Sequence, residues 1–338
     1  MGAPPKIGIV GAGSIGCYVG GLLAQSGAHP RFLARPHQFT ALRENGLTIS
    51  SLSGDEYSAD SAQFGVSGDV SDLNDTDIVL VCVKSGDTAA AVEALQPHLK
   101  PEAVVVSLQN GIDNAETLAR GLPSHQVLAG MVAFNVVQRP PTGFHRATEG
   151  GLYLRRHEVS QKLQLLLQRS DLPVVLDTDM KAVLWSKLLL NLNNALNALS
   201  GLPLKSQLED RSYRRVFAAM IDEALAVVAK EGVMPKKIGK ASPKLISPIL
   251  RLPTPLFRFV AGQMLKIDPT ARTSMADDLE QGRKSEIVHL NGAVVAAGRR
   301  HGVPTQVNQR ICELTVKAFA AGRSPQISGE QLLRECGI

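Results

Sequence analysis

The sequence has few cysteines and no long apolar run. Its 338 residues include four cysteines, Cys17, Cys82, Cys312 and Cys336, which are widely separated and form no C-x-x-C pair. This scarcity argues against a disulfide framework and a cysteine-based zinc site, and it is typical of a reducing compartment. No apolar run approaches the roughly 20 residues of a membrane span, and the first residues lack the apolar core of a signal peptide. We therefore expect a cytoplasmic protein.

Acidic residues are missing from one long segment. Between Gly232 and Ile267 there is no Asp or Glu, whereas seven basic residues occur there: Lys236, Lys237, Lys240, Lys244, Arg251, Arg258 and Lys266. The formal net charge of the chain is +5, so the remainder is slightly acidic. The segment is either a solvated face or a basic lid over an anionic substrate or partner. Because its only aromatic residues are Phe257 and Phe259, it lacks the stacking platform of a single-strand binder, and we expect no nucleic-acid partner.

Apolar runs alternate with helical patterns in the first half of the chain. The runs that predict strands are Ile7–Val10, Arg31–Ala34, Ile78–Val83, Val104–Leu108 and Val127–Val132, followed by shorter stretches at Gly151–Leu154 and Val174–Leu176. This alternation is typical of βαβ units and a parallel sheet. The pattern changes near Asp177, and we predict a domain boundary at residue 178.

The second half of the chain has helical periodicity. The longest patterns cover Ala182–Leu199, Tyr213–Glu231, Met275–Arg300 and Gln306–Ala321. Six prolines between Pro235 and Pro269 exclude one continuous helix there and predict short helices joined by turns. We therefore predict an α/β protein in which an all-helical C-terminal domain, residues 179–338, follows the sheet-containing domain.

A glycine-rich turn follows the first predicted strand and opens a helical pattern. The residues that we assign to a cofactor here are Gly11, Gly13, Ser14, Ile15 and Gly16. Glycines at this spacing permit a tight turn, the close approach of backbone to a pyrophosphate and close helix packing, while the helix N-terminus adds partial positive charge. We therefore predict a Rossmann-like dinucleotide-binding domain over residues 1–178.

Charged and amide side chains follow three of the predicted strands. Arg35 ends the second strand, where an NAD-specific protein usually places a carboxylate for the ribose, and a guanidinium there favours the 2′-phosphate of NADP. A surface arginine is the alternative. Lys84 and Asn110 follow later strands, at the edge where open parallel sheets bind ligands. We assign Lys84 and Asn110 to cofactor binding, and Asn110 also to substrate binding. The alternative for Lys84 is simple exposure to solvent, and the alternative for Asn110-Gly111 is an ordinary turn.

Polar residues interrupt the very apolar helical pattern over residues 182–199. At about 100° per residue, Lys187, Asn191 and Asn194 fall within an arc of roughly 60°. A lysine on a largely buried helix is costly unless it is paired or functional, and burial shifts its pKa into a range that suits proton transfer. A solvent-facing helix edge is the alternative. Asn193 and Asn197 point elsewhere, and we predict structural roles for them.

Ser274 and Glu286 carry weaker signals when each is considered alone. Asp277 follows Ser274 by three residues, a spacing that is also typical of a helix N-cap. Glu286 falls within the helical pattern over residues 275–300, where a lone glutamate is usually a surface residue. These two residues gain a functional interpretation only in combination with the others.

Taken together, these residues resemble the ketopantoate reductase (2-dehydropantoate 2-reductase) family over nearly the whole chain. The resemblance rests on Gly11, Gly13, Gly16, Arg35, Lys84, Gln109-Asn110-Gly111, Trp185-x-Lys187, Asn191, Ser274-Met275 and Gly282-Arg283-x-x-Glu286-Ile287. It implies an N-terminal Rossmann domain, an all-helical C-terminal domain and an active site in the cleft between them.

The resemblance also implies NADPH-dependent reduction of 2-dehydropantoate to pantoate in pantothenate biosynthesis. Lys187 matches the family's general acid, and Glu286 would contact the substrate or position Lys187, which makes these two the catalytic residues. Asn191 and Asn194 would orient the substrate, and Ser274 would hydrogen-bond to it. The chemistry agrees, because hydride addition leaves negative charge on the carbonyl oxygen, which an ammonium group stabilises and protonates. We expect no metal.

Two other interpretations stay open. The helical half departs from the family pattern, because position 195 is Ala195, with Asn194 one step earlier, and Val288 follows Glu286-Ile287. A reductase of a different small 2-oxo acid is the first alternative, and a non-enzymatic NADP-binding sensor is the second. We expect a small-molecule partner and neither nucleic acid nor a membrane. The oligomeric state is left open, with a homodimer among the options.

Overall fold

The computed structural model describes residues 4–168, 170–238, 242–262, 268 and 270–338. The chain divides into two units, one ending at Met180 and the other beginning at Lys181. The first unit contains a parallel sheet with covering helices, and the described residues of the second unit are mainly helical. The predicted α/β fold, Rossmann-like in its N-terminal half and helical in its C-terminal half, is confirmed.

The strands of the first unit are short and lie between helices in the sequence. They are β1 (Ile7–Val10), β2 (Arg31–Leu33), β3 (Leu47–Ser50), β4 (Glu56–Ala59), β5 (Gly65–Ser67), β6 (Ile78–Val81), β7 (Val104–Ser107), β8 (Gln126–Val132), β9 (Val136–Arg139), β10 (Gly143–Arg146), β11 (Leu152–Arg155) and β12 (Val174–Asp177). All seven predicted strands are present, with ends that differ by at most two residues.

The main sheet has the strand order β12-β11-β8-β7-β6-β1-β2-β5. The strands from β8 to β5 run parallel to one another, and β11 joins β8 in the antiparallel direction. Every residue of β1, β6 and β7 is buried, as the apolar runs of these strands require in a parallel sheet covered on both faces. The carboxyl ends of these parallel strands therefore lie at one edge of the sheet.

A second sheet, of order β4-β3-β10-β9, was not anticipated from the sequence. Its strands have four residues each, and most of their outward side chains are polar, so they form no apolar run. Ile49 of β3 and Phe144 of β10 share a buried cluster with Ile9 of β1 and Phe32 of β2. This cluster gives the second sheet its hydrophobic contact with the rest of the unit.

Helices of the first unit connect the strands and cover the main sheet. They are α1 (Ser14–Gln25), α2 (Pro36–Asn45), α3 (Thr88–Leu95), α4 (Asn114–Gly121) and α5 (Glu158–Leu167). Helix α1 contacts β1 and also all four strands of the second sheet. Because α1 is covered by protein on these sides, nine of its residues are buried and its N-terminal turn is held in a fixed position.

The second unit is built around one long helix. Its helices are α6 (Met180–Asn191), α7 (Asn193–Ser200), α8 (Leu204–Glu209), α9 (Arg211–Lys230), α10 (Pro243–Arg251), α11 (Thr254–Ala261), α12 (Ser274–Glu280), α13 (Asn291–His301), α14 (Gln306–Ala320) and α15 (Gly329–Cys336). Helix α9 packs against α8, α10, α13, α14 and α15, and Val216, Met220, Ile221 and Ala224 on it are fully buried. It forms the core of the unit.

Two predicted long helices are interrupted. The pattern over residues 182–199 corresponds to α6 and α7, which are separated at Leu192. The pattern over residues 275–300 is wrong as a single helix: α12 ends at Glu280, a turn contains Gly282 in the left-handed region, and a 3-10 turn, Ile287–His289, precedes α13. Apolar periodicity cannot distinguish one helix from two helices that bury the same face.

The basic segment forms short helices, as its prolines predict. Prolines stand at the first position of α10 and just before and within the first turn of α11. Arg251 pairs with Asp222 of α9 (2.6 Å), and Arg258 pairs with Glu209 of α8 (3.2 Å), so acids from outside the segment neutralise part of its charge. Lys240, Lys266 and Pro269 lie outside the described residues.

Two further expectations from the sequence concern disulfide bonds and helices that cross a membrane. All four cysteines are free. In the part of the chain that the structure describes, no helix combines the length and apolar character that crossing a membrane requires.

Candidate active site

The first unit places its predicted cofactor residues at one edge of the main sheet. Val10 of β1 pairs with Leu33 of β2 and with Val81 of β6, and Val81 pairs in turn with Ser107 of β7. The segments that follow these strands therefore emerge side by side. They carry Gly11, Arg35, Lys84 and Asn110, the residues that the sequence analysis assigned to the cofactor.

The glycine turn has the geometry of a dinucleotide cradle. Gly11 has φ +103°, and a Cβ atom there would lie 2.8 Å from the backbone nitrogen of Val83. A Cβ atom on Gly16 would lie 2.1 Å from the carbonyl oxygen of Gly11. A Cβ atom on Gly13, in contrast, would meet no protein atom within 4 Å. Gly13 therefore leaves space for a ligand directly before α1, where Ser14 and Ile15 form the first turn and backbone N–H groups favour an anion.

Arg35 and Lys84 supply positive charge beside this turn. The Arg35 side chain is 82% exposed, and its Nη2 lies 2.7 Å from a carboxylate oxygen of Asp87. Lys84 is partly buried and precedes a 3-10 turn, Ser85–Asp87, in which the N–H of Asp87 donates to the Lys84 carbonyl oxygen (2.8 Å). Arg35 is therefore exposed, as its alternative interpretation expected, but it is also paired. Asp87 carries no recognisable signal in the sequence.

A buried polar network holds the Lys84 and Asn110 segments together. Ser85 Oγ donates to the Asn110 carbonyl oxygen (2.7 Å), and Asn114 Nδ2 donates to Ser85 Oγ (3.1 Å). Gln109 Nε2 donates to Thr88 Oγ1 (2.7 Å), so the Gln109 amide faces the interior. Buried polar groups that are satisfied in this way fix the segments that carry them. Short polar side chains follow two buried strands in the sequence, and this pattern is the one that could have predicted the network.

In the second unit, the predicted polar stripe lies on one face of α6 and α7. Lys187, Asn191 and Asn194 are partly exposed, whereas Leu188, Leu192 and Ala195 beside them are buried. The break at Leu192 leaves the stripe intact, because Leu192 itself keeps a right-handed helical conformation. The three functional groups therefore share one half-buried face of the two helices.

Asn193 and Asn197 have structural roles, as predicted. Gln207 of α8 is fully buried, and its amide exchanges hydrogen bonds with the amide of Asn193 (2.8 and 3.2 Å). Asn197 Nδ2 donates to the Leu202 carbonyl oxygen (2.9 Å), and its Oδ1 accepts from the N–H of Thr273 (3.0 Å). These contacts fasten the segment before α12 to α7.

Ser274 is the first residue of α12, and Thr273 occupies the N-cap position. The interpretation of Ser274 as an N-cap is therefore wrong. Thr273 Oγ1 donates to the carbonyl oxygen of Asn194 (3.3 Å), which holds the start of α12 next to the polar stripe. Ser274, the next residue, is exposed.

Glu286 is buried and acts electrostatically on Lys187. It directly precedes the 3-10 turn Ile287–His289, outside any helix, and is 8% exposed. Burial lowers the pKa of Lys187 to about 8, and the negative charge of Glu286 opposes this fall. The structure thus brings these two predicted catalytic residues together. The prediction that Glu286 lies within a helix is wrong, and so is its alternative interpretation as a surface residue.

The segment that carries Glu286 is fastened to α12. Arg283 Nε lies 2.8 Å from Asp278 Oδ1, and the Arg283 N–H donates to the Asp278 carbonyl oxygen (2.8 Å). The Asp278 carboxylate is buried, whereas the Arg283 side chain is 46% exposed. The same helix therefore presents Ser274 at its start and anchors the Glu286 segment at its end.

Family models match both units of the chain. The model described as ketopantoate reductase PanE/ApbA matches residues 7–158, and the model described as ketopantoate reductase PanE/ApbA C terminal matches residues 179–318. A 2-dehydropantoate 2-reductase of Halobacterium salinarum is 27% identical over 316 residues, which cover 91% of this chain and 97% of that protein.

Solved structures of similar fold cover 94% of the chain. A PanE/ApbA family ketopantoate reductase of Ralstonia eutropha JMP134 is 31% identical, with a TM-score of 0.81 and coverage of 94% of this chain and 99% of its own. A D-mandelate dehydrogenase, solved with NADH and anilino(oxo)acetate, has a TM-score of 0.79 at 20% identity, with the same coverage. This second likeness concerns the fold alone.

Proposed function

Because the chain belongs to the ketopantoate reductase family, we propose that it catalyses the NADPH-dependent reduction of 2-dehydropantoate to pantoate. It is an oxidoreductase that acts on CH–OH groups with a dinucleotide cofactor. In this proposal, residues 1–178 form the NADP-binding Rossmann domain and residues 179–338 form the helical substrate domain. The reaction would contribute to pantothenate biosynthesis.

The first unit would hold the cofactor. The open space at Gly13 fits a pyrophosphate, and the N–H groups of the first turn of α1, including those of Ser14 and Ile15, would bind it. Arg35 and Lys84 would bind the 2′-phosphate side, which favours NADPH over NADH, and Asn110 would lie toward the reacting end. The bound nicotinamide supplies the hydride.

The second unit would supply the proton and orient the substrate. Lys187 as an ammonium donates a hydrogen bond to the substrate carbonyl oxygen, stabilises the negative charge that forms there and transfers its proton to that oxygen. Asn191, Asn194 and Ser274 would hydrogen-bond to the carboxylate and hydroxyl groups of the substrate. Glu286 keeps Lys187 protonated near neutral pH.

One observation carries this proposal. A lysine whose pKa is about 8 lies beside a buried glutamate, on a helix face that also presents two amides. A pKa in this range permits both proton donation and reprotonation near neutral pH. A protein that only senses NADP has no use for such a group, and for this reason we favour the reductase over the sensor.

Substitution of Lys187 tests the proposed function. We expect Lys187→Met to lower kcat for 2-dehydropantoate reduction by about 10²- to 10⁴-fold, because the proton donor is lost, while the Kd for NADPH stays within about twofold. Lys317→Met, which removes an exposed lysine of α14, should leave both quantities unchanged. Full turnover by Lys187→Met would show that another group provides the proton.

A reductase of another small 2-oxo acid is the second candidate. The observations that favour it are Ala195, which is fully buried and presents no amide, and Val288, which is 65% exposed directly after the Glu286 segment. Both lie in the substrate half, so they bear on the substrate and leave the hydride chemistry unaffected. The cytoplasmic location and the homodimer stay predictions.

A further inference from the structure

An ion pair lies at the position proposed for the cofactor's 2′-phosphate. Arg35 follows β2, Asp87 follows β6, and Arg35 Nη2 lies 2.7 Å from Asp87 Oδ2. Apart from this contact the guanidinium is largely in solvent, since 82% of the Arg35 side chain is exposed. Any anion that binds to Arg35 must therefore bind close to the Asp87 carboxylate.

Asp87 is the more firmly held member of this pair. Its side chain is only 23% exposed, and it ends a 3-10 turn whose first residue, Ser85, is anchored to the Asn110 carbonyl oxygen. The next residue, Thr88, is buried, and its hydroxyl lies 2.9 Å from Asn114 Oδ1. The carboxylate is thus presented by a fixed turn, and the long Arg35 side chain reaches it.

The carboxylate has opposite consequences for the two dinucleotides. When NADPH binds, the Asp87 carboxylate repels the 2′-phosphate. It also occupies one N–H donor of the Arg35 guanidinium, which would otherwise bind the phosphate. Toward NADH it offers an acceptor for the ribose 2′-hydroxyl, the interaction that NAD-binding Rossmann proteins usually provide from the end of the second strand. Here Arg35 follows β2, and the acid comes from the segment after β6, which is separated from β2 by β1 in the sheet.

We propose that Asp87 is a cofactor-specificity residue that reduces the preference for NADPH and makes NADH an acceptable cofactor. This inference rests on the proposed function, because it assumes that Arg35 lies at the dinucleotide site. Arg35 and Lys84 favour the phosphorylated cofactor, and Asp87 opposes them. The balance between the three side chains determines the ratio of the two affinities.

The test is a measurement of the Kd values of NADPH and NADH, by nucleotide fluorescence, for the wild type and for Asp87→Asn. The substitution keeps the shape of the side chain and removes its charge. We expect the NADPH affinity of Asp87→Asn to rise at least about fivefold and its NADH affinity to stay equal or fall. The gain should shrink as salt is added, since Arg35 is exposed to solvent.

Two further variants complete the design. Glu93→Gln removes an exposed carboxylate on α3 and should leave the ratio of affinities unchanged, which controls for overall charge. Arg35→Gln should weaken NADPH binding alone. Because NADH binding is measured in every variant, a loss of folding appears as weaker binding of both nucleotides and is distinguished from a change in specificity.

The outcomes separate this inference from the proposed function. An Asp87→Asn protein with weaker NADPH binding would show that the carboxylate orients Arg35 instead of opposing the phosphate, and would overturn the inference. An unchanged ratio in Asp87→Asn, with dinucleotide binding intact in the wild type, would also overturn it and leave the reductase proposal standing. A wild type that binds neither nucleotide would overturn both.

Discussion

Lys187 is subject to two opposing influences. Burial disfavours its charged form and lowers its pKa to about 8, whereas the carboxylate of Glu286 favours the charged form. An ammonium group with such a pKa is protonated over most of the neutral range and releases its proton more readily than an exposed lysine. The proposed role of Lys187 therefore depends on a second residue about one hundred positions further along the chain.

The pH profile of the reduction reports this balance. The proton donor is the charged form of Lys187, so kcat/KM should fall as pH rises through about 8. Glu286→Gln removes the charge that raises the lysine pKa, and the alkaline limb should then move to lower pH. Glu330→Gln, an exposed carboxylate of α15, should leave the limb in place. A limb that stays fixed or moves upward in Glu286→Gln would contradict the assignment.

Among individual residues, the sequence predicts those that share one helix face better than those that contact one another from distant parts of the chain. Spacing alone places Lys187, Asn191 and Asn194 on one face, because helical periodicity is a local property. Asp87 and Thr273 become significant only through contacts across many residues, with Arg35 and Asn194 respectively. No local pattern signals such pairs.

Among the elements, α10 and α11 depend on one buried arginine. Arg214 of α9 is fully buried, and its guanidinium donates to the carbonyl oxygens of Leu208, Glu209, Leu250 and Leu252 and to Thr254 Oγ1. Its Cζ atom also lies 4.2 Å from the centre of the Phe257 ring. The planar group satisfies carbonyls at helix ends that would otherwise be buried without donors.

Substitution of Arg214 should therefore destabilise the second unit. We expect Arg214→Met to lower the free energy of unfolding by at least about 3 kcal/mol, because several buried carbonyl groups lose their donors. Arg215→Met changes the exposed neighbour on the same helix and should have an effect within about 0.5 kcal/mol. Denaturant unfolding of both variants measures the difference. Equal stabilities would show that the carbonyls find other donors.

The elements differ in how well the sequence predicts them. Apolar runs identify the central strands, because buried parallel strands are apolar throughout. The second sheet is missed, since strands such as β4 and β9 are short and partly polar. The turn that contains Glu286 is also missed, because apolar residues before and after it continue the helical pattern of α12 and α13.

For the whole molecule, the two units contribute different parts of the proposed reaction. The first unit contains the glycine turn, Arg35, Lys84 and Asn110, and the second contains Lys187 with its surrounding polar groups. The departures from the family pattern, at Ala195 and Val288, lie in the second unit only. These departures therefore bear on the identity of the 2-oxo acid.

The most direct measurement is the rate of NADPH oxidation with a panel of 2-oxo acids: 2-dehydropantoate, pyruvate, 2-oxobutyrate, 2-oxoisovalerate and benzoylformate. We predict a kcat/KM for 2-dehydropantoate at least about tenfold above every other member, because its hydroxyl group would pair with half-buried amides that the analogues leave unsatisfied. Lys187→Met should abolish most of this rate. A higher kcat/KM for another member would contradict the proposed substrate, and no turnover of any member would contradict the reductase assignment itself.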